Sequence, residues 1–251
     1  MFFPEKCTGC NRCISVCRQG AIAVNEALHH YERGQCCCCA RCSQVCPTGA
    51  RKLIGSAATV EDVLKVIKRD IIFYRESGGG VTFSGGEPFA QPEFLRQLVA
   101  ACHKLGIDTA VETSGYFDWE QVKDILPLLD SVFVDSKHMD DECHRHLTGV
   151  GNLRILDNIA LISRLHPHTI VRVPLIGGVN DNVQHMNQLC KFLTHKTQVK
   201  GIELLPYHDF GEAKYAALGL KGQPFTTPDA AAIDNLKRII SAYGIDIVDF
   251  K

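Results

Sequence analysis

Residues 7–17 read CTGCNRCISVC, and residues 36–47 read CCCCARCSQVCP. The first stretch spaces its cysteines as Cys-x2-Cys-x2-Cys-x3-Cys, at Cys7, Cys10, Cys13 and Cys17. The second stretch repeats that spacing at Cys36, Cys39, Cys42 and Cys46, and Pro47 follows its last cysteine. Thiolates are soft ligands, and a run of this kind wraps a four-iron, four-sulfur cluster while its fourth cysteine serves a neighbouring cluster. The two stretches therefore predict two 4Fe-4S clusters and one-electron chemistry.

The spacing between the two runs indicates an internal repeat. Each cysteine of the first run lies 29 residues before its counterpart, and a Gly-Ala pair follows each run, at residues 20–21 and 49–50. A repeat of this kind predicts a pseudo-twofold, bacterial ferredoxin-like module over residues 1–57. In that arrangement one cluster takes Cys7, Cys10, Cys13 and Cys46, and the other takes Cys17, Cys36, Cys39 and Cys42.

Two details depart from the usual pattern. Arg18 stands where proline usually follows the fourth cysteine, and the unbroken run 36–39 admits other registers. Only the register that starts at Cys36 satisfies all three gaps, which leaves Cys37 and Cys38 as extra cysteines. The alternative is a zinc site, but zinc sites usually pair two Cys-x2-Cys knuckles that lie farther apart. We therefore favour iron–sulfur clusters.

Bulk properties exclude several classes of protein. The 251 residues carry 27 basic and 28 acidic side chains, so no charge excess indicates nucleic-acid or membrane binding. No apolar run approaches the roughly 20 residues that span a bilayer, and no signal peptide is expected. Ten of the 13 cysteines lie before residue 47, which fits metal sites in a reducing, cytoplasmic compartment better than disulfides. Cys102, Cys143 and Cys190 are predicted to be small buried hydrophobic residues.

From Thr59 onward, helical and extended patterns alternate along the chain. Thr59 is the predicted N-cap of a helix that begins with Val60, and residues 80–84 are predicted to form a buried strand. The further predicted helices cover about 92–105, 119–128, 142–147, 152–165, 183–195 and 228–243, and the strands 108–112, 131–135, 169–174, 201–206 and 245–248. Such alternation predicts βαβ units and a parallel sheet, here over residues 58–251. Residues 211–227 are predicted to form a mobile flap.

Unusual residues recur where five of these strands end. The strand ends read GGEP at 85–88, ETSG at 112–115, DSKH at 135–138, GGVN at 177–180 and PYH at 206–208. The carboxyl ends of parallel strands meet at one edge of a sheet or barrel, where active sites lie. Any one of these segments has an ordinary structural explanation, but all five together predict a functional rim.

At this point the sequence resembles the radical S-adenosylmethionine superfamily, and within it the activating enzymes of glycyl radical enzymes. The matching text is FYRESGGGVTFSGGEP at 73–88, AVETSG at 110–115, DSKHMD at 135–140, LTGVGN at 147–152, RVPLI at 172–176 and ELLPYH at 203–208. The pattern is closest to pyruvate formate-lyase activases that carry a two-cluster ferredoxin insert. The resemblance implies a partial radical SAM (β/α) barrel of parallel strands whose first strand is missing, with an N-terminal ferredoxin-like module.

The resemblance also implies an activity and partners. Such an activase is an oxidoreductase that cleaves S-adenosylmethionine reductively to a 5′-deoxyadenosyl radical, and this radical abstracts hydrogen from a Gly of a partner enzyme. We therefore expect a glycyl radical enzyme as protein substrate and a flavodoxin or ferredoxin as electron donor. The chain is expected to be a monomer.

The site residues follow from the same resemblance. Asp135 and Lys137 match a catalytic pair beside the methionine end of the cofactor. The other residues implied to bind the cofactor are Ser84, Gly85, Gly86, Glu87, Glu112, Thr113, Arg172 and His208. Within this set, a Glu at the strand end suits the methionine ammonium, Arg172 suits its carboxylate, and His208 matches a His near the adenosyl group. Two alternatives stay open, namely an ordinary rim ion pair for Asp135 and Lys137 and a structural role for His208.

The superfamily's Cys-x3-Cys-x2-Cys motif, which leaves one iron of a cluster open, has no match in the sequence. A third, S-adenosylmethionine-binding 4Fe-4S cluster is therefore expected only if a missing N-terminal segment is supplied. Three explanations are a truncated or misassigned start, a separate chain that supplies the segment, and loss of the chemistry; we favour the first. The alternative functions are an iron–sulfur electron-transfer and docking protein, and a radical S-adenosylmethionine enzyme with another substrate.

Overall fold

The computed structural model describes residues 1–25 and 28–249, and these form two compact units. The first unit combines Met1–Ala57 with His208–Pro224. The second unit combines Ala58–Tyr207 with the chain from Phe225 onward. None of the helices in the described ranges is long and apolar enough to cross a membrane.

Within the described residues, the first unit contains three short α-helices and a two-stranded sheet. The elements are α1 (Arg12–Ser15), β1 (Ile22–Asn25), β2 (Leu28–Tyr31) and α2 (Arg41–Gln44), with a further helix at Glu212–Ala217. Strands β1 and β2 pair antiparallel, with Ile22 opposite Tyr31. The segment predicted as a flap thus contains a helix, and its residues up to Pro224 belong to this unit.

The backbone of the first unit follows the internal repeat of the sequence. Asn11 and Ala40, which lie 29 residues apart, both adopt left-handed conformations immediately before α1 and α2. Gly9 and Cys38 form a second such pair, with φ of 69° and 54°. These shared conformations give each cysteine run the same local path, as the repeat predicts.

The second unit is built on a sheet of six parallel strands in sequence order. The strands are β3 (Gly80–Phe83), β4 (Asp108–Thr113), β5 (Ser131–Asp135), β6 (Thr169–Leu175), β7 (Gly201–Pro206) and β8 (Asp246–Ile247). The helices are α3 (Val60–Ile67), α4 (Ile71–Ser77), α5 (Pro92–Lys104), α6 (Trp119–Val122), α7 (Asp141–Thr148), α8 (Leu153–Leu165), α9 (Val183–Lys196) and α10 (Ala230–Ala242). The predicted α/β architecture of parallel strands is confirmed.

One face of the sheet makes the hydrophobic core. Val111, Val132, Val171 and Ile202 are fully buried on neighbouring strands and belong to one cluster with side chains of the covering helices. Along β6, buried residues alternate with less buried ones, so that Arg172 points to the face opposite Val171. The opposite face of the central strands is therefore free to carry polar side chains.

Local signals account for several element boundaries. Thr59 caps α3 as predicted, because its hydroxyl accepts from the backbone N–H of Asp62 while the Asp62 carboxylate accepts from the N–H of Thr59. The predicted helix over 119–128 is wrong beyond Val122. Pro127 lies in that stretch, and only a single 3-10 turn, Leu126–Leu128, forms there.

Two burial predictions also need correction. Strand β3 is not buried, because it lies at the edge of the sheet, and its residues are exposed or partly buried. Cys102 and Cys190 are fully buried as predicted, but Cys143 is exposed. Cys143 lies in the first turn of α7, three residues after the capping residue Asp140, on the side that faces solvent.

Candidate functional site

The eight cysteines of the two runs border two separate cavities of the first unit. Cys7, Cys10, Cys13 and Cys46 border the smaller one. Cys17, Cys36, Cys39 and Cys42 border a larger one of about 250 Å³, together with Cys37 and Cys38. We call the first the smaller cavity and the second the arginine-lined cavity. Each cavity thus brings together one of the two expected ligand sets, with the fourth cysteine supplied by the other run.

The thiols also have the surroundings that a bound cluster requires. The backbone N–H of Cys38 donates to Cys36 Sγ at 3.3 Å, and that of Arg51 donates to Cys46 Sγ at 3.4 Å. Such N–H groups stabilise negative charge on sulfur. Two sets of four cysteines that each border one cavity, with amide donors to a sulfur of each set, therefore fit two iron–sulfur cubanes.

A chain of charged side chains crosses the polar face of the sheet in the second unit. Ser84 Oγ donates to Glu112 at 2.8 Å, and Arg172 donates to Glu112 with one terminal nitrogen. Arg172 Nε donates to Glu203 at 2.5 Å, while its guanidinium lies 3.9 Å above the ring of Phe133. Strand register explains the arrangement, because Arg172 pairs with Glu203 and Glu112 pairs with Phe133 on adjacent strands.

The contacts of Arg172 limit the part that its guanidinium can take in binding a ligand. Two of the guanidinium nitrogens are already engaged with protein carboxylates, so part of its predicted fork is occupied. Partial burial alone would raise the pKa of Glu112, but the hydrogen bond from Ser84 and the pair with Arg172 hold that pKa below its usual range. Glu112 therefore stays ionised at neutral pH beside an accessible rim.

Glu87 connects the loops that follow β3 and β4. Its carboxylate accepts from the Phe89 N–H at 3.2 Å and from the Thr113 hydroxyl at 2.8 Å. It also accepts from the N–H and the hydroxyl of Ser114, at 2.9 and 2.5 Å. These four protein hydrogen bonds occupy Glu87, and its partner Thr113 is buried.

The glycine pair before Glu87 borders open space. A Cβ built on Gly85 or on Gly86 would meet no heavy atom within 4 Å. Gly85 has a φ of 124°, which L side chains rarely adopt. A ligand at the rim can therefore approach this backbone closely, as a bound cofactor would have to do.

Asp135 and Lys137 form an ion pair at the end of β5. Lys137 Nζ lies 2.6 Å from an Asp135 carboxylate oxygen, and about a third of each side chain is exposed. The next loop holds the segment in place, since Asn180 Nδ2 donates to the carbonyls of Lys137 and Pro174 at 2.8 Å. Asn180 is buried, and its Oδ1 accepts from the Ile176 N–H at 2.8 Å.

Sequence reasoning did not assign a role to Asn180, although it lies in one of the five strand-end segments. Buried asparagines of loops commonly satisfy backbone groups, and this one satisfies those of Lys137, of Ile176 and of Pro174 in β6. The sequence signal that could have identified Asn180 is its position in a strand-end segment with two glycines. His208, by contrast, belongs to the first unit, where its ring lies 4.3 Å from that of Phe210.

The rim has an excess of negative charge. It presents four carboxylates, from Glu87, Glu112, Asp135 and Glu203, and two cationic side chains, from Lys137 and Arg172. An anionic rim with one exposed cation suits a ligand that carries positive groups and a single carboxylate. The methionine end of a sulfonium nucleoside has this combination of charges.

Family models match both parts of the chain. Residues 1–23 match the 4Fe-4S binding domain, and residues 35–193 match the radical SAM superfamily. Among solved structures, a domain of the pyruvate-formate lyase-activating enzyme of Bacteroides vulgatus is 30% identical, with a TM-score of 0.58. The match covers 69% of this chain and 99% of that domain.

Three curated relatives are similar over most of the chain. The isethionate sulfite-lyase activating enzyme of Oleidesulfovibrio alaskensis is 40% identical, over 84% of this chain and 69% of that protein. The choline trimethylamine-lyase activating enzyme of the same organism is 40% identical, over 89% and 76%. The 4-hydroxyphenylacetate decarboxylase activating enzyme of Clostridioides difficile is 39% identical, over 87% and 71%. The chain therefore belongs to the glycyl radical enzyme activating enzymes of the radical SAM superfamily.

Proposed function

We propose that this chain forms the S-adenosylmethionine rim and a two-cluster electron relay of an activase whose protein substrate is a glycyl radical enzyme. The observation that carries the proposal is the pair of four-cysteine cavities, joined in one chain to an anionic rim on a radical SAM sheet. We assign the relay to residues 1–57 and the rim to residues 58–251. A flavodoxin or ferredoxin is the proposed electron donor, and the activase is proposed to act as a monomer.

The chemistry comes from the bound groups. Held at an open iron site and reduced by one electron, S-adenosylmethionine supplies a 5′-deoxyadenosyl radical that takes hydrogen from a Gly of the partner enzyme and leaves methionine. The S-adenosylmethionine-binding cluster is proposed only for the chain joined to a segment with Cys-x3-Cys-x2-Cys. The two cavities described above would hold the auxiliary clusters.

The chain's own residues bind and orient the cofactor. Asp135 and Lys137, which pair with each other here, would hold the ammonium and the carboxylate of its methionine end. Glu112, kept ionised by Ser84 and Arg172, adds the negative charge that a sulfonium prefers. Glu87 holds the loop that presents the open backbone of Gly85 and Gly86, and we propose that it acts by position.

The test uses the full chain, purified without oxygen and reconstituted with iron and sulfide. We expect about eight irons per chain and two sets of spin signals on reduction. A colourless chain, or one that binds zinc in place of iron, would exclude the relay.

The rim is tested by calorimetry with S-adenosylmethionine, on the chain alone and on the chain joined to a Cys-x3-Cys-x2-Cys segment. Loss of one charge-assisted contact in Asp135→Ala should weaken binding by about tenfold or more without changing the iron content. Asp124→Ala is the matched control, since Asp124 pairs with Arg96 on an exposed surface. Unchanged affinity in Asp135→Ala would remove the rim assignment. Eight irons without cofactor binding in either form would favour an electron-transfer protein.

A further inference from the structure

We propose that the arginine-lined cavity is the port through which electrons enter, and that a small acidic one-electron carrier protein docks over it. This inference rests on the proposed function in one respect, namely that the cysteines of this cavity hold a cluster. It adds the direction of the relay, the docking surface and the chemistry of the carrier.

Charge distinguishes the two cavities. The arginine-lined cavity is bordered by five cationic side chains, namely Arg18, Arg33, Arg41, Arg51 and Lys52. Within the described part of the chain, no Asp or Glu borders it. The smaller cavity is bordered by a single cationic residue, Arg51, which borders both cavities. Such a difference in charge is not expected from the net charge of the chain, which is only −1. The excess of cations therefore distinguishes the arginine-lined cavity.

The surface around the arginine-lined cavity has the composition of a transient protein interface. Leu53 and Ile54 border the cavity, and each is about half exposed. Cys37 and Cys39 are exposed at the same cavity, which Arg18, Arg33 and Arg41 also border, whereas Arg51 is buried. Contact surfaces commonly combine exposed apolar side chains with a charged rim, and arginine is enriched in them.

The sign of the charge selects the partner. A cationic rim attracts a protein with an acidic surface, and it raises the association rate most at low ionic strength. A neutral or basic carrier would gain nothing from these arginines. The occupant is therefore an acidic carrier that brings its redox group close to the exposed cysteines.

The same charges order the two clusters by potential. Reduction adds one negative charge to a cluster held by four thiolates, while the carrier is oxidised by one electron. Positive neighbours stabilise that added charge, and five cationic side chains border the arginine-lined cavity, against one at the smaller cavity. The cluster of the arginine-lined cavity therefore has the higher potential and takes the first electron, and the cluster of the smaller cavity is reduced after it.

The experiment compares two charge-reversal variants of the reconstituted full chain. Arg18→Glu/Arg33→Glu reverses the rim, and Lys214→Glu/Lys221→Glu makes the same change at exposed positions of the first unit that do not border the cavity. Each is reduced by photoreduced flavodoxin, an acidic protein, and separately by the methyl viologen radical cation. Iron content and circular dichroism of each variant show first that both clusters and the fold are present.

We expect the rim variant to be reduced by flavodoxin at least about tenfold more slowly at low ionic strength, and to lose most of the salt dependence. Methyl viologen should reduce it as fast as the unaltered chain, or faster. In a redox titration followed by electron paramagnetic resonance, the midpoint potential of the higher-potential cluster should fall, and that of the other cluster should not change. Equal slowing in both variants, no slowing in the rim variant, or a shift confined to the lower-potential cluster would overturn the proposal. Absence of iron in the unaltered chain would instead refute the proposed function.

Discussion

Cys38 occupies the position in the second cysteine run that Gly9 occupies in the first. Both residues have left-handed backbones, with φ of 54° and 69°. Glycine adopts this conformation without strain, whereas a residue with a Cβ loses about 1 kcal/mol there. We therefore predict that Cys38→Gly stabilises the chain by up to about 1 kcal/mol and keeps all the iron. Iron analysis and chemical unfolding of the reconstituted protein measure the two effects.

A matched substitution tests the ligand register. Cys39→Ser removes a proposed ligand and should lose the iron of one cluster, because a hydroxyl is a poor substitute for a thiolate. Cys38→Gly and Cys39→Ser thus differ by one position and have opposite expected outcomes. Loss of iron in Cys38→Gly with retention in Cys39→Ser would show that the register does not start at Cys36.

His185 gives the second unit a dependence on pH. Burial, with a smaller effect of the charge on His138, lowers the pKa of His185 to about 4. The unfolded chain, with an ordinary histidine pKa of about 6.5, binds a proton in the window between these values, and the folded chain does not. Stability from this residue is thus complete above about pH 6.5 and decreases as the pH falls toward 4.

We therefore predict that His185→Asn removes part of the pH dependence of unfolding. Between pH 7.5 and pH 5.5, the unaltered chain should lose about 1 kcal/mol that the variant does not lose. Asparagine can still accept from the Met139 N–H, the partner of His185 Nδ1. Exposed His103 supplies the control substitution, and the free energy of unfolding is measured in denaturant. The same loss in His185→Asn as in the unaltered chain would contradict the assignment.

At the scale of elements, Asn180 connects the segment after β5 with the turn after β6. Its side chain satisfies the carbonyls of Lys137 and Pro174 and the N–H of Ile176. We predict that Asn180→Ala costs about 2 to 3 kcal/mol, because buried backbone groups lose their partners. It should also weaken S-adenosylmethionine binding, since Lys137 is no longer held. Asn187→Ala is a control on α9, where the side chain bonds to the Val183 carbonyl and the Tyr243 hydroxyl.

Equal destabilisation by the two asparagine variants, measured by denaturant unfolding, would indicate that Asn180 has no special role. Loss of stability without loss of affinity in calorimetry would indicate that it supports the fold and does not position Lys137.

Elements with strong local signals were predictable from the sequence. Thr59 marked the start of α3, and the period of apolar residues gave α8, α9 and all six strands of the sheet to within two residues or so. The predictions failed where contacts between residues far apart in the sequence determine the structure. Cys143 was expected to be buried because of its residue type. It is exposed, and the residues next to it in the sequence do not show which side of α7 contacts the core. The Glu87 contacts to Thr113 and Ser114 join two strand ends, and no local pattern reveals them.

At the scale of the whole molecule, the two units differ in what can stabilise them. Among the described residues, the buried hydrophobic side chains of the first unit are Cys13, Ala21, Ile22, Ala50 and Ala217, most of them small. The second unit has a continuous core that includes Ile159, Leu189 and Ile202. A small unit with so little apolar burial requires bound metal or a comparable crosslink.

The repeat of the cysteine runs predicted this reliance on metal, since the spacing of the ligands is visible in the sequence. The addition of residues 208–224 to the first unit was not predictable in the same way. That segment has no cysteine and little periodicity, and it joins the unit through contacts such as the Phe2 N–H with the Ala217 carbonyl, 2.8 Å apart. Pairing over more than 200 residues leaves no local signature.

We therefore predict that removal of iron unfolds the first unit and leaves the second folded. Where metal binding is coupled to folding, loss of the metal abolishes protection from amide hydrogen exchange. Exchange measured by mass spectrometry on the iron-loaded chain and on the chelator-treated chain should show lost protection within residues 1–57 and 208–224. Strands β4 to β7 should keep theirs, because a hydrophobic core supports them without metal. Unchanged protection across residues 1–57 after complete loss of iron would mean that the cysteine cavities are shaped by packing alone, and loss of protection across β4 to β7 as well would mean that the two units fold as one.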